Sequence, residues 1–223
     1  MTTRATKRIA LLNPNTNAAT TTLMTRIAQS QAPEHVQFTG YSMLLGPMVV
    51  TDEDALSKAA VQVVTMGQTL AADGVDGILV SGFGDPGLEA LRESLSIPVT
   101  GIAEAGMAAA AINGRRFSIV TTTPDLTDSI AGMAKRYGYE AQLSAIRLTS
   151  GRPEATMASH ESLSEALFQT IRLCEDMQDT DAVLIGGGPL AAAANEIADR
   201  ISLSVIEPVA EGAKLACRRV EER

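Results

Sequence analysis

Residues 76–88, DGILVSGFGDPGL, decide the fold of this chain. They begin with an unbroken apolar run, Gly77–Val80, which continues into a glycine-rich turn and then into a helix-like stretch. Unbroken apolar strands are typical of parallel sheets that helices cover on both faces. The same pattern returns in residues 181–190, DAVLIGGGPL, with Gly187 standing 105 residues after Gly82. We therefore expect a duplicated unit of strands and helices.

A second pair of segments repeats in the same way. Residues 9–16, IALLNPNT, match residues 117–124, FSIVTTTP, at an offset of 108. Short apolar strands alternate with Ala-rich helical stretches, which predicts an α/β architecture with right-handed crossovers. The predicted strands are Arg8–Leu12, Val36–Tyr41, Gly77–Val80, Val99–Ile102, Phe117–Val120, Glu140–Leu148, Ala182–Ile185 and Ser204–Ile206. The predicted helices are Thr20–Ser30, Asp54–Ala72, Leu88–Ser94, Ala103–Asn113, Thr127–Tyr137, His160–Met177, Leu190–Arg200 and Val209–Glu222.

The duplication predicts two similar lobes that face one another. The first lobe comprises residues 1–100 together with 207–223, and the second comprises residues 101–206. No Pro- or Ser-rich linker separates them, so we expect the hinge near Gly101–Glu104. The last helix is expected to return to the first lobe.

Composition narrows the classes of partner. The 223 residues carry a formal net charge of −8, no Trp, three Tyr and four Phe. This balance argues against nucleic-acid binding, which uses clustered Lys and Arg and aromatic stacking platforms. No apolar run approaches the ~20 residues of a membrane span, and the start of the chain lacks the apolar core of an export signal. We therefore expect a cytoplasmic protein with two reduced cysteines and no nucleic-acid or membrane partner.

Four segments at predicted strand ends are candidate ligand-binding positions. In open α/β sheets, ligands lie beyond the carboxyl ends of the strands, where helix N-termini offer amides to anions and carbonyl oxygens. Each segment also fits a structural role as an ordinary helix cap or tight turn. None matches a nucleotide-binding fingerprint, and no cluster has metal-ligand spacing. The four segments are Asn13–Thr16, Ser81–Gly87, Thr121–Thr123 and Gly186–Gly188.

The combination of motifs resembles the aspartate/glutamate/hydantoin racemase superfamily and, within it, the hydantoin and allantoin racemase branch. The resemblance rests on Asn13–Thr16, Gly84–Leu88, Gly101–Ala105 and Phe117–Thr122. It implies two pseudo-symmetric flavodoxin-like (Rossmann-like) lobes with parallel sheets and an active site between them. It also implies a small-molecule substrate, no cofactor and assembly into a homo-oligomer.

The resemblance further implies one catalytic cysteine in each lobe, where one thiolate removes a substrate proton and the opposite thiol returns one. This chain departs from that pattern, because glycines stand at both positions, Gly82 and Gly187. Glycine supplies neither an acid nor a base. The two cysteines that are present, Cys174 and Cys217, lie within predicted helices and are expected to be buried structural thiols.

Three residues are candidates for the missing acid–base groups: Ser81, Glu104 and His160. The alternatives are a helix cap for Ser81, an inter-lobe hydrogen bond for Glu104 and a surface cap for His160, although histidine titrates near neutral pH. For Asp85 the alternatives are a catalytic carboxylate and a plain Asp-Pro-Gly turn, and the turn is favoured. No metal is expected. The candidate substrate-binding residues are Asn13, Asn15, Tyr41, Gly82, Phe83, Thr121, Thr122, Gly187 and Gly188.

These expectations favour a cofactor-independent enzyme on the racemase scaffold that acts on a small carboxylate or a hydantoin-like cyclic amide or ureide. A cradle that stabilises an oxyanion without a thiol fits bond cleavage of the hydrolase or lyase (decarboxylase) type. Two alternatives stay open. One is an isomerase that uses water, Ser81 or a carboxylate instead of cysteine, and the other is a protein that binds a small ligand without catalysis.

Overall fold

The computed structural model of the chain describes residues 5–223, and these residues group into two compact units. Unit 1 comprises the described residues up to Val50, Asp54–Ala105 and Val209–Arg223. Unit 2 comprises Thr51–Glu53 and Gly106–Pro208. The division drawn from the sequence places the boundaries after residues 100 and 206.

Unit 1 contains a parallel sheet in the order β2-β1-β3-β4. Helices follow the strands, as the alternating pattern predicts. The elements are β1 (Lys7–Asn13), α1 (Ala18–Ser30), β2 (Val36–Ser42), α2 (Glu53–Ala72), β3 (Gly77–Val80), α3 (Leu88–Ser94) and β4 (Val99–Gly101). The next helix, α4 (Ile102–Ala110), begins in unit 1 and continues into unit 2 from Gly106.

Unit 2 repeats that topology with the order β6-β5-β7-β8, again parallel. The predicted α/β fold with two parallel sheets is confirmed. The elements are β5 (Phe117–Thr121), α5 (Thr127–Arg136), β6 (Leu143–Leu148), α6 (Pro153–Thr156), α7 (His160–Met177), β7 (Ala182–Ile185), α8 (Ala191–Ile197) and β8 (Ser204–Ile206). The last helix, α9 (Pro208–Glu221), follows β8 and belongs to unit 1 from Val209 onward.

The same clasp joins the two central strands of each sheet at their starts. The Asp76 carboxylate accepts a 2.8 Å hydrogen bond from the backbone N–H of Arg8, the exposed residue directly before the buried part of β1. In unit 2, the Asp181 carboxylate accepts the equivalent 2.8 Å bond from the backbone N–H of Arg116. The strands that follow are fully buried on both faces, which accounts for their unbroken apolar sequences.

Two predicted boundaries are wrong for reasons of turn chemistry. The strand predicted over Glu140–Leu148 begins only at Leu143, because residues 140–142 belong to a turn. The helix predicted over Ala103–Asn113 ends at Ala110, since Asn113 adopts the left-handed conformation, with φ 58°, that Asn tolerates in turns. Among residues 5–223, no helix combines the length and the apolar character that a membrane crossing requires.

Candidate functional site

The carboxyl ends of β1 and β3 bring three of the predicted residues of unit 1 together, namely Asn13, Ser81 and Gly82. Leu12 pairs with Val80, and the Ser81 N–H donates a 2.8 Å bond to the Leu12 carbonyl. Asn13 and Ser81 therefore leave the sheet side by side. Pro14 and Gly82 are the next residues of the two segments. The ring of Pro14 faces the α-carbon of Gly82 and fills the space that a side chain there would need.

Asn13 and Asn15 form a buried amide network at the end of β1. Asn13 Nδ2 donates to Asn15 Oδ1 at 2.8 Å and to Thr21 Oγ1 at 2.9 Å. Asn15 Oδ1 also accepts the backbone N–H of Asn17 at 2.9 Å. Asn17 in turn caps α1, because its side chain accepts from the Thr20 N–H. The network fixes the loop that precedes the helix.

The Ser81 hydroxyl has a partner that sequence reasoning did not anticipate. Ser81 is 1% exposed, and its Oγ donates to the sulfur of Met24 at 3.1 Å. Its hydroxyl is therefore directed at α1 rather than at the start of a helix, so the cap alternative is wrong. The acid–base role of Ser81 stays a prediction.

Asp85 does more than serve a plain turn, which corrects the expectation for it. Its carboxylate accepts the Ala103 N–H at 3.0 Å and the Glu104 N–H at 2.8 Å, and so caps the first turn of α4. Asp85 is buried and has φ 44°, a left-handed conformation that the turn imposes on it. The N-terminus of α4 is therefore already capped by a carboxyl group of the chain itself.

Glu104 lies in an ion-pair cluster with Arg92 and Arg219, all three of which belong to unit 1. Its two carboxylate oxygens accept from Arg219 at 3.0 Å each, and Oε2 also accepts from Arg92 at 2.7 Å. Both guanidinium groups also donate to the Val99 carbonyl at the start of β4. Burial raises the pKa of Glu104, but the hydrogen bonds and charges of the two arginines outweigh it and hold that pKa below its ordinary value. Glu104 is thus held ionised.

Tyr41 lies near the end of β2 and lines an apolar groove of about 450 Å³ together with Met43, Leu44, Leu45 and Val61. Phe83 is buried in the turn after β3. The structure therefore places Tyr41 beside α2 and the loop that follows β2. Its role in substrate binding stays a prediction.

Hydroxyls and glycines take the place of the amide network at the strand ends of unit 2. The Gly186 N–H donates to the Val120 carbonyl at 2.7 Å, as Ser81 does to Leu12. Thr121 Oγ1 then donates to the Gly186 carbonyl at 2.9 Å and lies 3.0 Å from Thr123 Oγ1. Thr121 and the glycine turn are therefore brought together, and Gly187 and Gly188 follow directly.

Thr149 is a residue of these strand ends that sequence reasoning missed. It follows β6, is 6% exposed, and donates its backbone N–H to the Thr121 carbonyl at 3.0 Å. Its hydroxyl is buried without a partner among the described residues. Its position directly after a predicted strand is the signal that could have identified it. Thr122, another predicted substrate-binding residue, donates its Oγ1 hydroxyl to the sulfur of Met157 at 3.8 Å.

His160 lies away from these strand-end hydrogen bonds. It is the first residue of α7, is exposed, and pairs with Glu196 at 2.7 Å. The pair lines a cleft of about 730 Å³ with Glu161, Ser164, Glu165 and Arg200. His160 does begin a helix at the surface, where α7 is capped by Ser159. Its role as a catalytic group stays a prediction.

Both cysteines lie inside helices and are buried, as predicted. Cys174 lies in α7 and Cys217 in α9, and neither forms a disulfide. Burial raises the pKa of Cys174 and raises that of Cys217 to about 11. Within residues 5–223, no group of three His, Cys, Asp or Glu side chains is placed to hold a metal ion.

Comparison with known proteins identifies the relatives of this chain. The family model described as Asp/Glu/Hydantoin racemase matches residues 9–216. Hydantoin racemase from Pseudomonas sp. (strain NS671) is 29% identical over 212 residues, which are 94% of this chain and 84% of that protein.

Solved structures of two allantoin racemases share the fold. The enzyme from Klebsiella pneumoniae is 29% identical, with a TM-score of 0.86 over 97% of this chain and 87% of that chain. The enzyme from Pseudomonas fluorescens has a TM-score of 0.88 at 24% identity, over 96% of this chain and 91% of that chain. The second likeness concerns the fold alone.

Proposed function

Because this chain belongs to the Asp/Glu/hydantoin racemase family, we propose that it is a cofactor-independent enzyme that cleaves a bond in a small hydantoin-like cyclic amide, ureide or carboxylate without using a protein thiol. The substrate class is suggested by relatives named hydantoin racemase and allantoin racemase. The reaction type is suggested by the residues that stand at the strand ends.

The observation that carries the proposal is the contrast between the thiols and the strand ends. Cys217 has a pKa raised to about 11, and Cys174 is fully buried in α7, so neither is a ready acid–base group near neutral pH. The strand ends instead offer neutral amide and hydroxyl donors. Such donors stabilise an oxyanion that develops on a carbonyl oxygen, an effect worth about 10²–10³-fold in rate for one donor.

Water is the simplest nucleophile for such a site. Asp85 already caps α4 and Glu104 is already paired with two arginines. In the proposed reaction, a water oxygen adds to a ring carbonyl carbon and the carbonyl oxygen becomes an oxyanion held by the amides. The C–N bond then breaks and the nitrogen leaves with a proton from that water, so no oxidant or reductant is needed.

The test is turnover of a defined panel by the wild-type protein, followed by mass spectrometry. The panel contains hydantoin, allantoin, a lactam and a substituted malonate. We expect mass gain of one water or loss of carbon dioxide for at least one compound. We also expect a Cys174→Ser/Cys217→Ser variant, and the iodoacetamide-treated wild type, to keep that activity. A folded wild type that converts none of them would refute the proposal.

A second candidate, racemisation with water, Ser81 or a carboxylate in place of the thiols, is favoured by the relatives named hydantoin racemase and allantoin racemase. It predicts exchange of the substrate α-proton in heavy water without any change in the mass of the carbon and nitrogen skeleton. Proton NMR of L-5-benzylhydantoin, compared with an enzyme-free sample, separates the two reactions. Exchange without cleavage would replace the first proposal by the second.

A further inference from the structure

We propose that Asn13 is a positioning residue that holds the side-chain amide of Asn15 so that its Nδ2 group is presented to the oxygen of a bound substrate. These separate roles rest on the proposed function, because they assume that Asn15 binds the substrate. Both residues are candidates from sequence alone, but the hydrogen bonds of the structure give them different roles.

Asn13 has no donor left for a ligand. Its Nδ2 group carries two protons and faces three acceptors, which are Asn15 Oδ1 at 2.8 Å, Thr21 Oγ1 at 2.9 Å and the Asn17 carbonyl at 3.2 Å. Its Oδ1 faces the backbone N–H of Asn15 at 3.3 Å. Asn13 is also 1% exposed. A buried side chain whose donors are all used within the chain serves its neighbours.

Asn15 has the complementary pattern. Its Oδ1 accepts two bonds, from Asn13 Nδ2 and from the Asn17 N–H, which together use both lone pairs of a carbonyl oxygen. A backbone N–H can only donate, so the atom that faces it must be the oxygen, and this fixes which way the amide points. The described residues offer no acceptor to Nδ2, even though Asn15 is buried and only 5% of its surface is exposed. Two donors thus remain for a ligand.

A pair of hydroxyls extends the support for Asn13 into the helix behind it. Thr21 Oγ1 lies 2.6 Å from Ser42 Oγ and donates to the Asn17 carbonyl at 3.1 Å, so Ser42 donates to Thr21. Thr21 therefore links α1 and β2 to the Asn13 amide. Thr21 and Ser42 also line a groove of about 510 Å³ between α1 and β2. We assign Thr21 to the same positioning chain as Asn13.

A double-mutant cycle tests these separate roles. With the panel compound that turns over fastest as substrate, Asn15→Ala should lower kcat/KM by about 10²-fold, as expected for loss of one oxyanion donor. Asn13→Ala should lower it about 10-fold in the wild type, and Thr21→Val less. In the Asn15→Ala background, both should change kcat/KM by less than about two-fold, because positioning residues act only through Asn15. Multiplicative losses would show that Asn13 contacts the substrate itself and would overturn the proposal.

A second readout does not depend on activity. In NMR spectra of a ¹⁵N-labelled wild type, the Asn15 side-chain NH₂ should give a single sharp pair of signals and the high order parameter of a rigid group. Thr21→Val and Asn13→Ala should lower that order, and Thr22→Val should not. Thr22 is a matched control, since it stands on the same helix and its hydroxyl donates to Ala18. An unchanged Asn15 amide in both variants would refute positioning even if the wild type turns over the panel. If Thr21→Val and Asn13→Ala do lower the order of the Asn15 amide but the wild type converts no panel compound, the proposed function is refuted and the positioning role stands.

Discussion

The two units share a scaffold and differ at their strand ends. Each has the same sheet order, the same Arg–Asp clasp and the same hydrogen bond from the residue after its third strand to the end of its first. Beyond that bond, unit 1 carries the Asn13 and Asn15 amides, whereas unit 2 carries threonine hydroxyls and three successive glycines. The duplication has kept the residues that build the sheets and has changed the polar groups at the strand ends.

The position of Asp85 shows how far the strand ends have diverged. At an offset of 105 residues, its counterpart is Leu190. Asp85 is a buried carboxylate that caps α4, but Leu190 belongs to the apolar core of unit 2 with Val120 and Ile185. The same position therefore holds a helix-capping carboxyl group in unit 1 and an apolar core side chain in unit 2.

The two glycines at the predicted thiol positions should respond very differently to a methyl group. In unit 1, a Cβ on Gly82 would lie 3.0 Å from Pro14 Cδ and closer still to Pro14 Cγ, so the ring would have to move. We expect Gly82→Ala to lower the free energy of unfolding by about 3 kcal/mol. In unit 2, the atoms nearest to a Cβ on Gly187 would be Leu190 Cγ at 3.1 Å and Leu190 Cδ1 at 3.2 Å, so a shift of a few tenths of an ångström would relieve the contact. Gly187→Ala should change stability by less than about 1 kcal/mol.

Urea unfolding followed by circular dichroism measures both variants. Gly132→Ala on α5 is the control for the substitution itself, because the atom nearest to a Cβ there is an Arg136 nitrogen at 3.6 Å. It should be stabilising, since alanine forms helix about 1 kcal/mol better than glycine. Equal losses at Gly82 and Gly187 would remove the asymmetry between the units at this position.

The carboxylates that brace the last strand of each sheet give a second contrast. Glu104 is paired with two arginines that also bind Val99, whereas Glu175 accepts three bonds from Ser202 and Leu203 just before β8. Hydrogen bonds from Ser202 hold the pKa of Glu175 below its ordinary value. At pH 7, Glu104→Gln should cost about 2 kcal/mol, because two half-buried guanidinium groups lose their counter-charge. Glu175→Gln should cost about 1 kcal/mol.

The pH dependence of these losses has a defined sign. Both carboxylates have a pKa that is lower in the folded than in the unfolded chain, so each stabilises the fold fully above its ordinary value of 4.5. That contribution is lost as the pH falls through the folded pKa. The difference between wild type and variant should therefore shrink below pH 4.5, and the exposed pair Glu211–Lys214 provides a control variant, Glu211→Gln, with a loss under about 0.5 kcal/mol. A difference that is constant with pH would contradict the ionised state of Glu104.

Much of the fold could be predicted because its signals are local. The apolar runs of β3 and β7 and the helices Leu88–Ser94 and His160–Met177 have the bounds that the sequence predicts. Each is flanked by a glycine, a cap or a turn that fixes its ends. The errors, at Glu140 and Asn113, fall where a turn competes with a weak continuation of the same pattern.

The strand-end residues could be located from the sequence, but their roles could not. Ser81 donates to Met24, which stands 57 residues away, and Asp85 caps a helix that begins 17 residues later at Ile102. Spacing along the chain gives no measure of which neighbour a short polar side chain meets after folding. The same holds for Asn13 and Asn15, whose opposite roles depend on which amide faces the Asn17 N–H.

The smallest predicted effect concerns two threonines at the strand ends of unit 2. Thr121→Val should cost about 1 kcal/mol, because the Gly186 carbonyl and the Thr123 hydroxyl each lose a partner. Thr149→Val should be neutral or slightly stabilising, since its hydroxyl is buried and makes no hydrogen bond to the described residues. Thermal unfolding of the two variants and of the double variant compares them in one experiment. A loss at Thr149 as large as that at Thr121 would mean that a bound water satisfies the Thr149 hydroxyl. The buried polar groups at the strand ends would then have hydrogen-bond partners in both units. The units would differ at this end only in the kind of polar group, with amides in unit 1 and hydroxyls in unit 2.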